Sequence, residues 1–323
     1  MVSLSRKQVV KSEEWILQSA PFRSCHASTI VETPSGLAAS WFAGTEEGHP
    51  DVGIWLSRWS LAEGWTSPLE VVNGSLEDGL RHPCWNPVLF QYPQADLILF
   101  YKVGPSPREW WGMMMRSSDE GKSWSHPTRL PNGVIGPVKN KPVLVEDDLL
   151  LCPSSTETDG KWQIHFDITR DQCQSWSSVG PLNDPDQFAL IQPALLVHGS
   201  SRIQALCRSQ QKVIVEIWSY NGGKSWQPVH PTRLPNPDSG IDAVSLQDGR
   251  FLLVYNPTTR RRTPLSVAVS PDGIEWQDIL TLEDQPGEYS YPAIIQDSGG
   301  LVHITYTWKR CRIKQVILDP EMI

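Results

Sequence analysis

The chain has no run of eighteen apolar residues, no excess of basic residues and no closely paired cysteines. Each absence excludes a class. Without a long apolar run there is no membrane-spanning helix to expect. Lys and Arg number 28 against 36 Asp and Glu, a net charge of −8, so nucleic acid is not an expected partner. The six cysteines stand at 25, 84, 152, 173, 207 and 311. No CxxC pair or metal-ligand spacing is among them, so neither zinc nor another cofactor is expected. Most fall in or beside apolar runs and read as small core residues. No segment shows a convincing 3.6-residue apolar period, which argues against amphipathic helices. Residues 1–19 include Lys7, Lys11, Glu13 and Glu14 but no apolar stretch of the kind an export signal needs, so a cytoplasmic location is the expectation. No Gly/Ser linker or charge run divides residues 1–323, and a single domain is expected.

What the chain has is repetition. Ser117-Ser118-Asp119-Glu120-Gly121-Lys122-Ser123-Trp124 recurs as Thr169-Arg170-Asp171-Gln172-Cys173-Gln174-Ser175-Trp176. It returns as Ser219-Tyr220-Asn221-Gly222-Gly223-Lys224-Ser225-Trp226, and shortened as Ser270-Pro271-Asp272-Gly273-Ile274-Glu275-Trp276. Tryptophans 124, 176, 226 and 276 are 52, 50 and 50 residues apart. A weaker copy runs from Ser57-Arg58-Trp59 to Gly64-Trp65. A fixed period near fifty signals an array of similar units. Asp or Asn bonds nearby backbone N–H groups and stabilises a tight turn. Gly takes up positive φ, and Trp anchors the hairpin in an apolar layer.

A second repeat runs out of phase with the first. Short apolar strands open with a polar residue at His26, Asn86, Lys141, Gln192, Asp242 and Tyr291, in steps of 60, 55, 51, 50 and 49. Each is followed by another apolar run, such as 95–101 or 250–255, with the alternation and β-branched content of strands. Six starts imply six units. Repeated radially, four-stranded units of this length give an all-β fold, a six-bladed β-propeller.

The hairpin phrases resemble the Asp-box repeats of the sialidase superfamily, six-bladed propellers acting on acidic sugars. The likeness covers roughly residues 10–315. Finer segments are similar to the predicted neuraminidases with BNR-type repeats: Cys25-His26-Ala27-Ser28-Thr29, Trp41-Phe42-Ala43-Gly44-Thr45-Glu46-Glu47-Gly48, Lys139-Asn140-Lys141-Pro142, Ser239-Gly240-Ile241-Asp242-Ala243-Val244 and Tyr289-Ser290-Tyr291-Pro292. That branch also includes lyases that release rhamnose from glucuronate in plant gums. The resemblance implies a carbohydrate-active enzyme with an acidic saccharide as its partner.

In a propeller the innermost strands converge on the axis. His26, Asn86, Lys141, Gln192, Asp242 and Tyr291 are therefore expected to meet in one concave site. The resemblance adds a set of carboxylate-binding arginines: Arg23, Arg208 and one of Arg260, Arg261 and Arg262. The guanidinium fork suits a carboxylate. It also places Asp51 as acid/base and Tyr289 or Tyr291 as nucleophile. The glutamate that activates such a tyrosine is replaced here by Gln192, which cannot take a phenol proton.

Three readings follow. In hydrolysis, Asp51 protonates the leaving oxygen, Tyr289 or water attacks, and Asp242 stands in for the missing glutamate. In β-elimination at a uronate, His26 and Tyr291 share the acid and base roles. Gln192, Asn86, Lys141 and Arg208 then stabilise the enediolate. In a non-enzymatic sugar-binding propeller, Trp85, Trp110 and Trp111 stack on sugar faces.

Overall fold

The computed structural model describes residues 6–17, 19–146 and 148–323. Part of the leader segment judged from sequence, residues 1–5 and Gln18, lies outside the described residues. Six antiparallel sheets form the blades of a propeller. Their innermost strands are Ser24–Thr33, Cys84–Gln91, Val143–Val145, Leu190–His198, Asp242–Ser245 and Tyr289–Gln296. The six blades stand where the second repeat places them. A feature not read from the sequence is the closure of the ring. Val10–Trp15 pairs antiparallel with Arg312–Leu318 and supplies the outermost strand of the sixth blade. This strand reads VKSEEW and is half exposed, with no residue fully buried, so it lacks the apolar alternation that marks its counterparts. Among the described residues no helix is long and apolar enough to cross a membrane.

The repeated phrases sit between the third and fourth strands of their blades, and each is tied by its own side chains. Ser117 Oγ donates to Asp119 (2.8 Å) and accepts from the Gly121 N–H (2.7 Å). Asp119 accepts from the Ser123 backbone N–H and hydroxyl, at 2.8 and 2.6 Å. Thr169, Asp171 and Ser175 repeat the pattern. Asn221 makes the same bonds through an amide, accepting from Ser225 N–H at 2.9 Å and donating to its hydroxyl at 2.8 Å.

The closing tryptophans reach across to the preceding blade. Trp226 stacks on Phe166 at 4.0 Å and 12°, Trp176 meets Phe100 at 6.1 Å, and Trp65 of the first blade donates to Gln315 of the last at 2.9 Å. Each phrase therefore does two tasks: it closes its own hairpin and fastens its blade to a neighbour. The core follows from this, as apolar clusters shared between adjacent blades rather than one central mass.

Hydrogen bonds from Ser123 and Ser117 hold the Asp119 carboxyl down to about 2, and those from Ser175 and Thr169 do the same for Asp171. Both folded values lie below the ordinary carboxylate value. Their stabilisation is therefore complete above about pH 4 and is lost as pH falls toward 2. Because Asn221 shows that an amide serves in the same place, Asp119→Asn with Asp171→Asn should flatten the loss of stability between pH 4 and 2. Denaturant midpoints measured across that range check this, and an unchanged acid slope contradicts it.

Candidate functional site

Four innermost strands break register where they approach the axis. The irregularities fall between His26 and Thr29, Trp85 and Val88, Ile191 and Ala194, and Ser290 and Ala293. In each, a residue turns into left-handed backbone: Ala27 (φ 56°), Asn86 (37°), Gln192 (55°) and Tyr291 (51°). In the third blade Lys139 does so at 71°. Asp238, Arg261, Lys309 and Arg310 add further positive φ values in loops at the same end. Such conformations cost on the order of 1–3 kcal/mol each for ordinary residues and persist where the surroundings over-determine them, commonly at functional sites. The structural equivalent of Asn86, Gln192 and Tyr291 in the first blade is Ala27, so His26 stands one place ahead of the shared position.

Tyr291 is the centre. Its hydroxyl accepts from Arg208 Nη1 at 2.8 Å and from the Gln192 amide at 3.4 Å. Arg208 Nη1 also donates to Gln192 Oε1 at 3.0 Å. Two guanidinium groups face the Tyr291 ring, Arg208 at 5.7 Å and Arg262 at 5.5 Å. Arg208 is buried, lies over Trp162 at 5.1 Å, and is anchored by Asp238 at 2.9–3.0 Å. Arg262 and Arg310 share Glu288, at 3.0 and 2.7 Å, and Arg310 also pairs with Glu47. Burial works against ionisation of Glu288, but the charges of Arg310 and Arg262 outweigh it and keep its carboxyl below the usual range.

His26 lies against Tyr291, with ring centroids 4.1 Å apart. Its Nδ1 is 3.0 Å from Thr307 Oγ1, which also accepts from the Ala27 N–H. Its Nε2 is buried and has no hydrogen-bond partner among the described residues. Burial first, then the positive charges of Arg310, Arg262, Arg208 and Lys139, holds the imidazole well below its ordinary pKa. The ring is therefore neutral at physiological pH.

The other expected site residues divide. Asn86 is buried at its turn, and Gln192 is in the cluster. Lys141 and Asp242 form an ion pair of 2.9 Å, in which Asp242 also accepts from the Ile294 N–H at 2.9 Å. That pair cross-links three blades, so Asp242 is committed to structure and does not stand in for the missing glutamate. Of the three consecutive arginines, 260 and 261 are exposed and Arg262 reaches the tyrosine. Tyr289 is corrected: its side chain packs in the apolar layer between the fifth and sixth blades, with Trp308 at 6.3 Å. Arg23 is exposed, and no bond joins it to the cluster among the described residues. Arg310, on the hairpin of the sixth blade, joins the cluster through Glu288 instead.

Trp85 and Trp110 are buried, pack on each other at 6.2 Å, and Trp85 donates to Gly104 at 2.9 Å. Trp111 lies under Arg129 at 4.9 Å. Trp85 and Trp110 are thus packed as walls, while Trp111 stays half-buried. Asp51 stays at the rim, bonded to Thr45 (2.6 and 3.0 Å) and to His49 (2.7 Å). Slight burial opposes ionisation, but those bonds keep its carboxyl below the usual range, the wrong direction for a proton donor.

A family model described as a BNR repeat-like domain matches residues 35–304. The chain belongs to that family. Solved structures share the propeller. A protein of unknown function from Dyadobacter fermentans is 15% identical, with 96% of this chain and 98% of that one covered at a TM-score of 0.79. The intramolecular trans-sialidase of Ruminococcus gnavus is 10% identical, with 96% and 97% covered at 0.77. The NanB sialidase of Streptococcus pneumoniae is 13% identical, with 96% and 71% covered, also at 0.77. No curated protein matches the chain. At these identities the likeness of this BNR repeat-like chain to solved structures speaks for the fold, and the chemistry rests on its own side chains.

If Arg310 rather than Arg23 is the third carboxylate-binding cation, Arg310→Gln should weaken binding of free glucuronate by roughly tenfold or more, the scale of one lost charge-assisted bond of about 1.5–3 kcal/mol. Arg23→Gln should leave it unchanged. Calorimetric titration of both variants checks this, and the opposite ranking contradicts it.

Proposed function

We propose that this BNR-repeat propeller is an enzyme that grips the carboxylate of an acidic sugar and cleaves the glycosidic bond beside it by β-elimination. The observation that carries the reading is the environment of the Tyr291 hydroxyl. It receives hydrogen bonds from Arg208 and Gln192, and no carboxylate among the described residues bonds to it. An oxygen that already accepts two bonds directs its own hydrogen elsewhere, which suits a proton donor to a leaving oxygen. A nucleophilic tyrosine needs the reverse, a base that removes its proton.

The guanidinium groups of Arg208, Arg262 and Arg310 neutralise the uronate carboxylate, which makes its C5 proton easier to remove. His26, neutral and with Nδ1–H assigned as donor to Thr307, takes that proton at Nε2. The C–H electrons form the C4–C5 double bond, the C4–O bond breaks, and Tyr291 protonates the departing oxygen. Because Nε2 is buried and the imidazole packs against the Tyr291 ring, an arriving sugar must displace its neighbours to reach it. Gln192 contributes by being uncharged: a glutamate there would repel the carboxylate.

The competing reading is sialidase-like hydrolysis, favoured by the placement of Asp51 on a rim loop and by the sialidases among the structural neighbours. One experiment separates the two. A rhamnosyl-glucuronate oligosaccharide should yield an unsaturated-uronate chromophore, and Tyr291→Phe should lower kcat by roughly 10²–10⁴-fold, the usual contribution of a proton-transferring group. Release of sialic acid from a fluorogenic sialoside without any chromophore supports hydrolysis instead. Neither product supports a binding protein.

A further inference from the structure

From the geometry beneath the site we infer that Lys139 and Asn140 form a positioning pair, an internal clamp from the third blade that sets the backbone of Gln192 and Tyr291. Its bearing on turnover rests on the proposed function; the clamp itself does not. Lys139 is almost fully buried. Its ammonium donates to Ile241 O of the fifth blade at 2.5 Å, to Asn140 Oδ1 at 2.8 Å, and to Pro292 O, the residue after Tyr291. Three donors meet three acceptors, the full capacity of an ammonium group.

Asn140 continues the link. Its amide donates to Gln192 O at 2.9 Å and to Pro193 O at 3.0 Å. Two consecutive residues thus hold the left-handed turns of the fourth and sixth blades, and those turns carry the two groups that touch each other over Arg208. Gly240 marks the joint. A methyl group there would come within 3.3 Å of Lys139 Cε and Tyr291 Cδ2, and 3.4 Å of Gln192 Oε1. Turns with positive φ at non-glycine residues relax unless something holds them. Burial lowers the Lys139 amine to about 7; its protonated form holds these carbonyl oxygens more firmly than a neutral donor does. Lys139 touches no substrate in this account. It acts through the shape of the tyrosine turn.

The decisive experiment is hydrogen–deuterium exchange on the full chain without any ligand. In Lys139→Met, peptides covering 189–195 and 288–294 should exchange roughly tenfold faster or more, as expected when a local opening becomes easier. Peptides from the first two blades should stay as in the wild type. Asn140→Ala should accelerate 189–195 alone, and it decides the question if Lys139→Met does not fold. Faster exchange everywhere means a merely structural role, and wild-type exchange in both segments removes the clamp. Where the enzyme is active, kcat should fall more than KM changes. If the wild type neither cleaves a uronate nor binds free glucuronate, the functional reading fails while the exchange pattern still judges the clamp.

Discussion

A guanidinium group taken out of water must find fixed acceptors, or its desolvation outweighs whatever it offers a ligand. Arg208 meets that demand through Asp238, the Gln192 side-chain oxygen Oε1 and the Tyr291 hydroxyl. Arg262 and Arg310 meet it by sharing Glu288, with Glu47 behind Arg310. The rest of the site depends on this arrangement. The carboxylates fix the forks from one edge, and a guanidinium has five donors, more than these bonds consume for Arg262 and Arg310. The positive charge then does three things at once. It orients the tyrosine, it adds to the burial that keeps His26 neutral, and it supplies what an incoming carboxylate lacks.

The fold serves the arrangement by bringing distant residues together under strain. Five of the six blades hand the axis one irregular turn, and a side chain from a neighbour often secures it: Thr307 binds the Ala27 N–H, Ser155 the Gln192 N–H, and Asp242 the Ile294 N–H. Farther out, the Asp-box hairpins and their tryptophans keep the blades in step. The outer shell therefore carries regularity and the axis carries the exceptions, which is the division expected when local rules are broken for function.

The architecture was legible because a fifty-residue period survives in the spacing of Trp124, Trp176, Trp226 and Trp276 whatever the intervening loops do. Tyr291, Gln192 and Arg208 were legible because they open or end apolar strands. Other parts were hidden for identifiable reasons. Lys141 looked like the axial cation because it heads the strand pattern, but the left-handed turn at Lys139 shifts the register and sends the earlier lysine beneath the site. Arg310 lies in a hairpin between strands, where no repeat marks it. Trp85 and Tyr289 look like binding residues on a one-dimensional reading, yet their bulk fills the seams between sheets. The closing strand Val10–Trp15 is polar because it is an edge, and edges carry little pattern.

The central claim is that three guanidinium groups from three blades form one receptor for a sugar carboxylate around Tyr291. A crystal soaked with free glucuronate tests it most directly. The carboxylate should lie at the axis, with oxygens about 2.7–2.9 Å from nitrogens of Arg208, Arg262 and Arg310, the range of charge-assisted bonds. A sugar bound elsewhere, or bound at the axis with its carboxylate turned away from these arginines, would contradict it.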